Sequence, residues 1–503
     1  SSTFTNDSTL DVTADAMGTA NAIGLQINDG DNTLPTLNSL AATSEDGTAK
    51  GINADGGTNT VNVTTNVSAE ATGSGNAGGV NTTGDAELTT TIDGTLTATA
   101  ANGDAAAVNA DATSTGSSTV TVTGTTTAEA PNGNASVTYN EGTGTVTLNA
   151  GGAMSATGNR AGGATDISGG VTTINGGGNT LTVKGKLSSA VAQVANGSTV
   201  NLNNITADAQ APDGEAYSIY NAGNGANVNL TGTTIASSTS TNNAADIYYD
   251  NDGSAAGADL NVTIDKTSSI TGAANAVTDS AANGAINITN AGTWNVTGDS
   301  NLNASGASSL TNTGLVDMTK DGTTAEKQVS SKLAVKSLTH NGNLIMDVSP
   351  EKVTTGDQIV TTTTSGSGKI QANILASEQD ATYKEFLDTA LITATGTADG
   401  NYSVTNNGDN NLEVGNWTYS LQPMKQADGS TIYHLVNNDL LSNKGKTIVS
   451  SVVSPDYWYY ETSALYNDIN NFNGARKDHD VWAHMVHNKT TLSNFSDQNG
   501  ADD

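Results

Sequence analysis

Few side chains in this sequence are equipped for chemistry, and their positions narrow the choice. Cysteine is absent from all 503 residues, which excludes disulfides, thiolate metal sites and cysteine nucleophiles. All five histidines (His340, His434, His479, His484, His487) lie beyond residue 331, so residues 1–339 hold no Ser-His-Asp arrangement of their own. Neither a Gly-Asp-Ser-Gly block nor a Gly-x-Ser-x-Gly elbow is present. Gly298-Asp299-Ser300-Asn301 matches the opening of a Gly-Asp-Ser-Leu esterase for three residues, then lacks the Leu and every later block. Gly445-Lys446-Thr447 ends like a P-loop, but Leu440 stands where the first glycine belongs. Over residues 1–330 the cations are Lys50, Arg160, Lys184, Lys186, Lys266, Lys320 and Lys327. They are too scattered for the Asp-with-Lys/Arg cluster of a polysaccharide lyase. A paired-carboxylate glycan hydrolase is the enzyme that this composition leaves open.

Ligand-binding candidates are better defined. Asp246, Asp250 and Asp252, followed by Gly253 and Asp259, gather hard oxygen donors of the kind calcium takes. Asp29-Gly30-Asp31 does so more weakly. The run fails the EF-hand pattern, because Tyr248 occupies the first ligand position and no Glu closes the loop. Acidic turn residues on a soluble surface are otherwise simply solvated. Tyr217, Tyr220, Tyr248 and Tyr249 fall in consecutive repeats of a chain that is only 4% aromatic. They form either an exposed patch for carbohydrate or protein contact, or a set of which some turn inward.

The elements that must position these residues follow from composition and period. Leu, Ile, Val and Phe together make 88 of 503 residues, about 17%, below the roughly 20% at which a highly charged chain ordinarily holds a broad core. Such a chain stays unfolded or folds as something thin, each unit burying its few apolar residues against a copy of itself. A repeat decides for the second. Ile23, Ile52, Val80, Val108, Val137, Thr165, Val191, Ile219, Ile247, Val277 and Leu310 recur at intervals of 26 to 33 residues. A second alternating segment follows each, as in Val61-Asn62-Val63, Val120-Thr121-Val122 and Leu260-Asn261-Val262, and a third is weaker and rich in small residues. Gly, Asn and Asp separate them.

Three short period-2 strands per repeat of about 28 residues predict an all-β, three-faced, right-handed parallel β-helix running from residue 1 to about 435. Inward Val, Ile and Leu stack in a narrow column, and outward Thr, Asn and Ser stack on themselves. A change of composition near 331 divides it: residues 1–330 carry 7 of the 21 aromatic side chains and net −23, residues 331–503 carry 14 and net −9. The whole chain has 18 Lys and Arg against 50 Asp and Glu, a net charge of −32, which repels nucleic acid. No run of about 18 apolar residues is present to cross a membrane as a helix, and no secretory signal opens the sequence at Ser1.

The C-terminal third carries a resemblance. Its order of motifs is an apolar strand with Asn341-Gly342, an Asp before a polar stretch, the Gly366-Ser367-Gly368 turn, Leu391-Ile392-Thr393, and Gly415-Asn416-Trp417-Thr418-Tyr419-Ser420-Leu421. This order is similar to the autochaperone end of pertactin-like passengers of monomeric (type V) autotransporters. Residues 439–480 resemble that family's helical linker, and Val481-Trp482-Ala483-His484 the opening of its first barrel strand, with His484 where Arg is common. The resemblance implies a passenger over 1–330, an autochaperone region over 331–438 with Trp417, Tyr419 and Tyr433 in its core and Trp417 capping the stack, a linker over 439–480, and the start of a truncated outer-membrane barrel over 481–503. It implies secretion to the surface of a Gram-negative-type bacterium, with the membrane met only through that barrel. A long acidic solenoid without a catalytic set, laddered with Thr and Asn, suits an adhesin that associates side by side with its own copies in aggregation and biofilm. The alternatives are an adhesin holding a host protein or glycan in a local patch, and, third, a glycan-acting enzyme.

Overall fold

A computed structural model describes residues 10–236, 239–240, 246–251, 258–278, 284–303, 306–320, 330–348, 356–374, 390–406 and 411–448. The predicted linker beyond 448 and the barrel segment 481–503 lie outside the described residues, as does Asp252.

Each turn of the chain contributes three strands, and each strand pairs in parallel with its counterpart about 28 residues on. Ala49–Asp55 lies between Ala22–Ile27 and Ala77–Thr83 on what we term the first face. Thr58–Val63 pairs with Glu87–Ile92 on the second, and Val67–Ala71 with Leu96–Ala100 on the third. The same order holds through Ser403–Thr405, giving an all-β parallel solenoid with one continuous buried column. Strand alternation decides what enters it. Val61, Val63, Val120, Val122, Leu148 and Ile174 are buried, while Asn62, Thr121 and Asn149 between or beside them look outward. Alanine fills much of the third face (Ala69, Ala98, Ala128, Ala156). Small inward residues let the faces approach closely, so few large apolar side chains suffice.

The first-face strand has a further feature. Gly51, Gly79 and Gly163 precede the buried Ile52, Val80 and Ala164, and both members of each pair face the core. A Cβ on Gly79 would lie 2.6 Å from Leu96 Cδ1 and 2.6 Å from the Ala107 carbonyl; one on Gly163 would lie 2.8 Å from Leu181 Cδ2. Two successive inward positions bend the strand, and its outer side becomes concave.

Several expected equivalences change. Leu25, not Ile23, pairs with Ile52; Ala274, not Val277, pairs with Ile247, and Val277 is exposed opposite Asp250. Val137 and Val191 sit at the bend, next to the paired Thr138 and Ala192. Leu310 belongs to the second face, against Ile288 and Leu338. Apolar character marked these positions in sequence, whereas the ladder is set by alternation, and small or polar residues hold several inward places.

The parallel stack also ends earlier than residue 435. Trp417–Lys425 and Thr431–Leu441 form an antiparallel hairpin, and the second of them pairs antiparallel with Ala390–Ala394. The turn is fixed by Asp428, whose Oδ1 accepts the Ser430 amide at 2.9 Å, and by Gly429 at φ 89°. The reversal covers the edge that the last rung would otherwise present to another chain. A short helical turn follows over 443–448.

Candidate functional site

The bend on the first face produces a groove. On one side of it the outward row contains Lys50, Gly78, Ala106, Ser136, Gly162 and Ala190; on the other it contains Asn53, Asn81, Asn109, Tyr139, Thr165 and Gln193. Small residues in the first row leave space. One hollow of about 520 Å³ runs from Thr48 to Glu141. A second, of about 320 Å³, runs from Asn134 to Tyr220. They share Asn134, Ser136 and Tyr139, so the two are contiguous.

The groove's amides are held from below. Asn81 Nδ2 donates to the Ile52 and Gly78 carbonyls at 3.1 and 3.0 Å, and Asn109 Nδ2 donates to Asn81 Oδ1 at 3.3 Å. Lys50 donates to Asn53 Oδ1 at 2.8 Å, and burial lowers its pKa against the opposing pull of Asp111 and Asp55. The far end is closed by tyrosines. Tyr217 lies with its ring 4.9 Å from Tyr220 and 5.4 Å from Tyr248, and the Tyr220 and Tyr248 rings are parallel within 3° at 6.0 Å. The Tyr217 hydroxyl donates to Glu215 at 2.8 Å. Burial, then Asp250, pushes Tyr220 up to about 12 and burial raises Tyr217 further, so these phenols are neutral. Arg160, the one arginine among the described residues, stands exposed in the wall of the second hollow. Among the described residues the one ion pair is Lys320–Asp317, so Arg160 is not spent on a carboxylate.

Of the four tyrosines expected as an exposed patch, Tyr220 and Tyr248 therefore reach the surface. Tyr249 follows Tyr248 in the strand and alternation turns it inward; it is wholly buried, its hydroxyl donating to the Ala258 carbonyl at 2.6 Å. Tyr217 is itself 6% exposed beneath its two neighbours.

The proposed calcium ligands have separate surroundings. Asp246 is buried at the start of its strand, packed against Gly272, where a Cβ would meet its own at 2.1 Å. Asp250 faces the tyrosines. Asp259 accepts the Ala285 amide at 3.0 Å and Asn287 Nδ2 at 2.9 Å, tying one turn to the next. Among the described residues no three acidic or histidine side chains converge on one point.

The second face carries a different pattern. Asn149 donates to Thr121, Asn175 to Asn149 and Asn203 to Asn175, at 3.1, 2.8 and 2.8 Å. Beside them Asn201 donates to Thr173 and Asn229 to Asn201, at 3.1 and 2.9 Å. Asn227, Asn261, Asn287 and Ser309 continue the series toward the C-terminus. These outward ladders give a polar, flat and repetitive surface.

At the C-terminal end Tyr419 and Tyr433 are buried, and Trp417, paired on both sides with Val414 and Leu441, is partly exposed and packs against the core. Tyr433 donates to the Gly400 carbonyl at 3.0 Å, and its ring meets Tyr402 at 5.3 Å, which in turn meets His340 at 5.5 Å. His340 is buried with both ring nitrogens engaged, so it serves the core.

Sequence reasoning found the tyrosines but missed the groove and Arg160. The signal was present: a small residue, an apolar one and an amide recur as Gly51-Ile52-Asn53, Gly79-Val80-Asn81 and Ala107-Val108-Asn109.

No family profile matches the chain, and no curated sequence is similar to it. Among solved structures seven chains match. One is the autotransporter UpaB from E. coli strain CFT073, at 15% sequence identity and a TM-score of 0.38, over 86% of this chain and 100% of that one. The assignment of the solenoid rests on the parallel ladder above and not on this likeness.

Proposed function

We propose that the chain is a non-catalytic adhesin passenger, displayed outside a Gram-negative-type cell, that associates side by side with its own copies through the second face. The observation that carries this reading is the set of asparagine ladders from Thr121 to Ser309. With about 4.8 Å per turn, these eight turns extend roughly 34 Å. Inside the ladders Asn149, Asn175, Asn201, Asn227 and Asn261 each use one N–H and one carbonyl lone pair, which leaves a donor and an acceptor for a facing chain. An identical face on a second copy offers the same groups at the same spacing, so many weak bonds sum over a long contact. Residues 331–438 are proposed to start folding of the rungs before them.

Sedimentation of the purified chain, with settling of cells that display it, tests the reading. Concentration-dependent dimers or larger species, lost together with settling when the ladder is substituted, are expected. A strictly monomeric chain on cells that do not settle would overturn it.

A further inference from the structure

The first-face groove is separate from the laddered face and has its own chemistry. We infer that it binds an uncharged, hydroxyl-rich carbohydrate chain lying along the solenoid axis. The two contiguous hollows cross the turns from Thr48 to Tyr220. Six steps of about 4.8 Å make a track roughly 29 Å long, which fits an extended polymer better than a compact molecule.

Its lining selects among polymers. The floor is small, so the ligand approaches the backbone closely. Amides from Asn109 and Gln193 offer donors and acceptors together, matching hydroxyl groups, which are both, while Asn81, its two N–H groups held by the Ile52 and Gly78 carbonyls, adds an acceptor. Tyr139 stands where the hollows join, and Tyr220 and Tyr248 present parallel rings at the end. Neutral aromatic faces suit the C–H side of a sugar ring and leave the phenol to hydrogen-bond. The charges lining the hollows are Lys50 and Arg160 against Asp104, Glu141 and Glu215, a balance of −1 inside a chain of net −32. A polyanion is repelled from such a site. Arg160 then acts as a multiple donor to hydroxyl oxygens, not as a counter-ion.

The test is calorimetric titration of the whole chain with neutral oligosaccharides (glucans, mannans and galactans of increasing length), with heparin, polygalacturonate and gelatin as contrasts. Expected are binding to at least one neutral series, affinity rising with chain length, and little change with added NaCl. Tyr220→Ala combined with Tyr248→Ala should weaken it by about tenfold or more. Ala190→Glu, which fills the hollow from outside and leaves the core untouched, should abolish it while circular dichroism stays unchanged. Both variants should settle and sediment as the parent does, so failure here is distinguishable from failure of the self-association reading. No binding across the neutral series, preference for a polyanion with loss in salt, binding of gelatin alone, or full affinity in the blocked variant would each overturn the inference.

Discussion

Asn312 donates its side-chain amide to Nδ1 of His340 at 3.1 Å, one turn apart and inside the solenoid. The same column is aliphatic for most of its length: Val120, Leu148, Ile174, Leu202, Leu230 and Ile264 stack in register before Asn290, Asn312 and His340 take over. Asn290 donates to Asn312 Oδ1 at 2.9 Å. An amide N–H can only donate, so Nδ1 accepts and the ring proton sits on Nε2, 3.1 Å from the Lys369 carbonyl.

This geometry requires a neutral ring, and burial lowers the pKa of His340 below its usual value. Above about pH 6.5 the ring is neutral in both folded and unfolded chains. As pH falls below that, the unfolded chain takes a proton that the folded one refuses, so stability falls. Hydrogen exchange of the rungs around 337–347 should accelerate between neutral and mildly acid pH. His340→Asn, which continues the amide column, should remove that acceleration. An unchanged acid response in the variant would count against the assignment.

Much of the solenoid is legible in sequence because its period and its alternation are written in Val-Asn-Val and Leu-Asn-Val triplets. Register is less so. Ala274 and Thr138 hold inward places that hydrophobicity gives to Val277 and Val137, since a ladder position is fixed by pairing rather than by size. The groove is harder still. It arises from two consecutive inward residues, and nothing in a single repeat says that Gly79 faces Leu96. Tyr249 was legible in principle, because it follows Tyr248 directly and two neighbours in a strand cannot both face outward.

Asp166 shows the opposite pH response. Its side chain is buried in the first-face column, and Asn140 and Thr172 donate to Oδ2, each at 3.0 Å. Desolvation outweighs these bonds and raises the pKa to about 6. Between about pH 4 and 6 the folded chain therefore holds a proton that the unfolded chain has lost, and stability falls as pH rises through this window by up to roughly 3 kcal/mol. Asp166→Asn keeps an acceptor for both donors and should flatten the dependence, making the middle rungs more resistant to urea at pH 7.5. A variant less stable than the parent at that pH would show that the ionised carboxylate is favourable where it stands. Rungs unfold locally in a solenoid, so exchange in residues 160–175 is the appropriate measurement.

Aromatic truncation should separate the interior of the solenoid from the antiparallel hairpin. Trp294 is fully buried, and its indole N–H donates to the Gly272 carbonyl at 2.9 Å. Trp294→Ala removes the largest buried side chain and orphans that carbonyl, at a cost of about 3–5 kcal/mol. Trp417 is partly exposed, and its indole nitrogen is buried without a partner. Trp417→Ala should cost less, about 1–2 kcal/mol. Proteolytic susceptibility and urea midpoints of the two variants give the order. A larger loss at Trp417 would place the stabilising aromatic at the hairpin after all.

Self-association through the laddered face has a distinctive dependence on salt. Two copies of net −32 repel at long range, and a Debye length of about 10 Å at 0.1 M salt screens that repulsion. Short amide-to-amide bonds at contact distance are screened far less. Association should therefore survive, or strengthen, as NaCl rises from low to moderate concentration. Carboxylates such as Asp250 lie on the first face, so calcium bridging there falls outside this contact and a chelator should weaken association at most in part. Because the contact sums many weak bonds, Asn203→Glu alone should shift the sedimentation midpoint little. Asn175→Glu, Asn203→Glu and Asn229→Glu together place three like charges on one face and should abolish both dimers and cell settling. Dissociation on adding salt, complete loss with chelator, or a triple variant that still self-associates would each move the contact to another face.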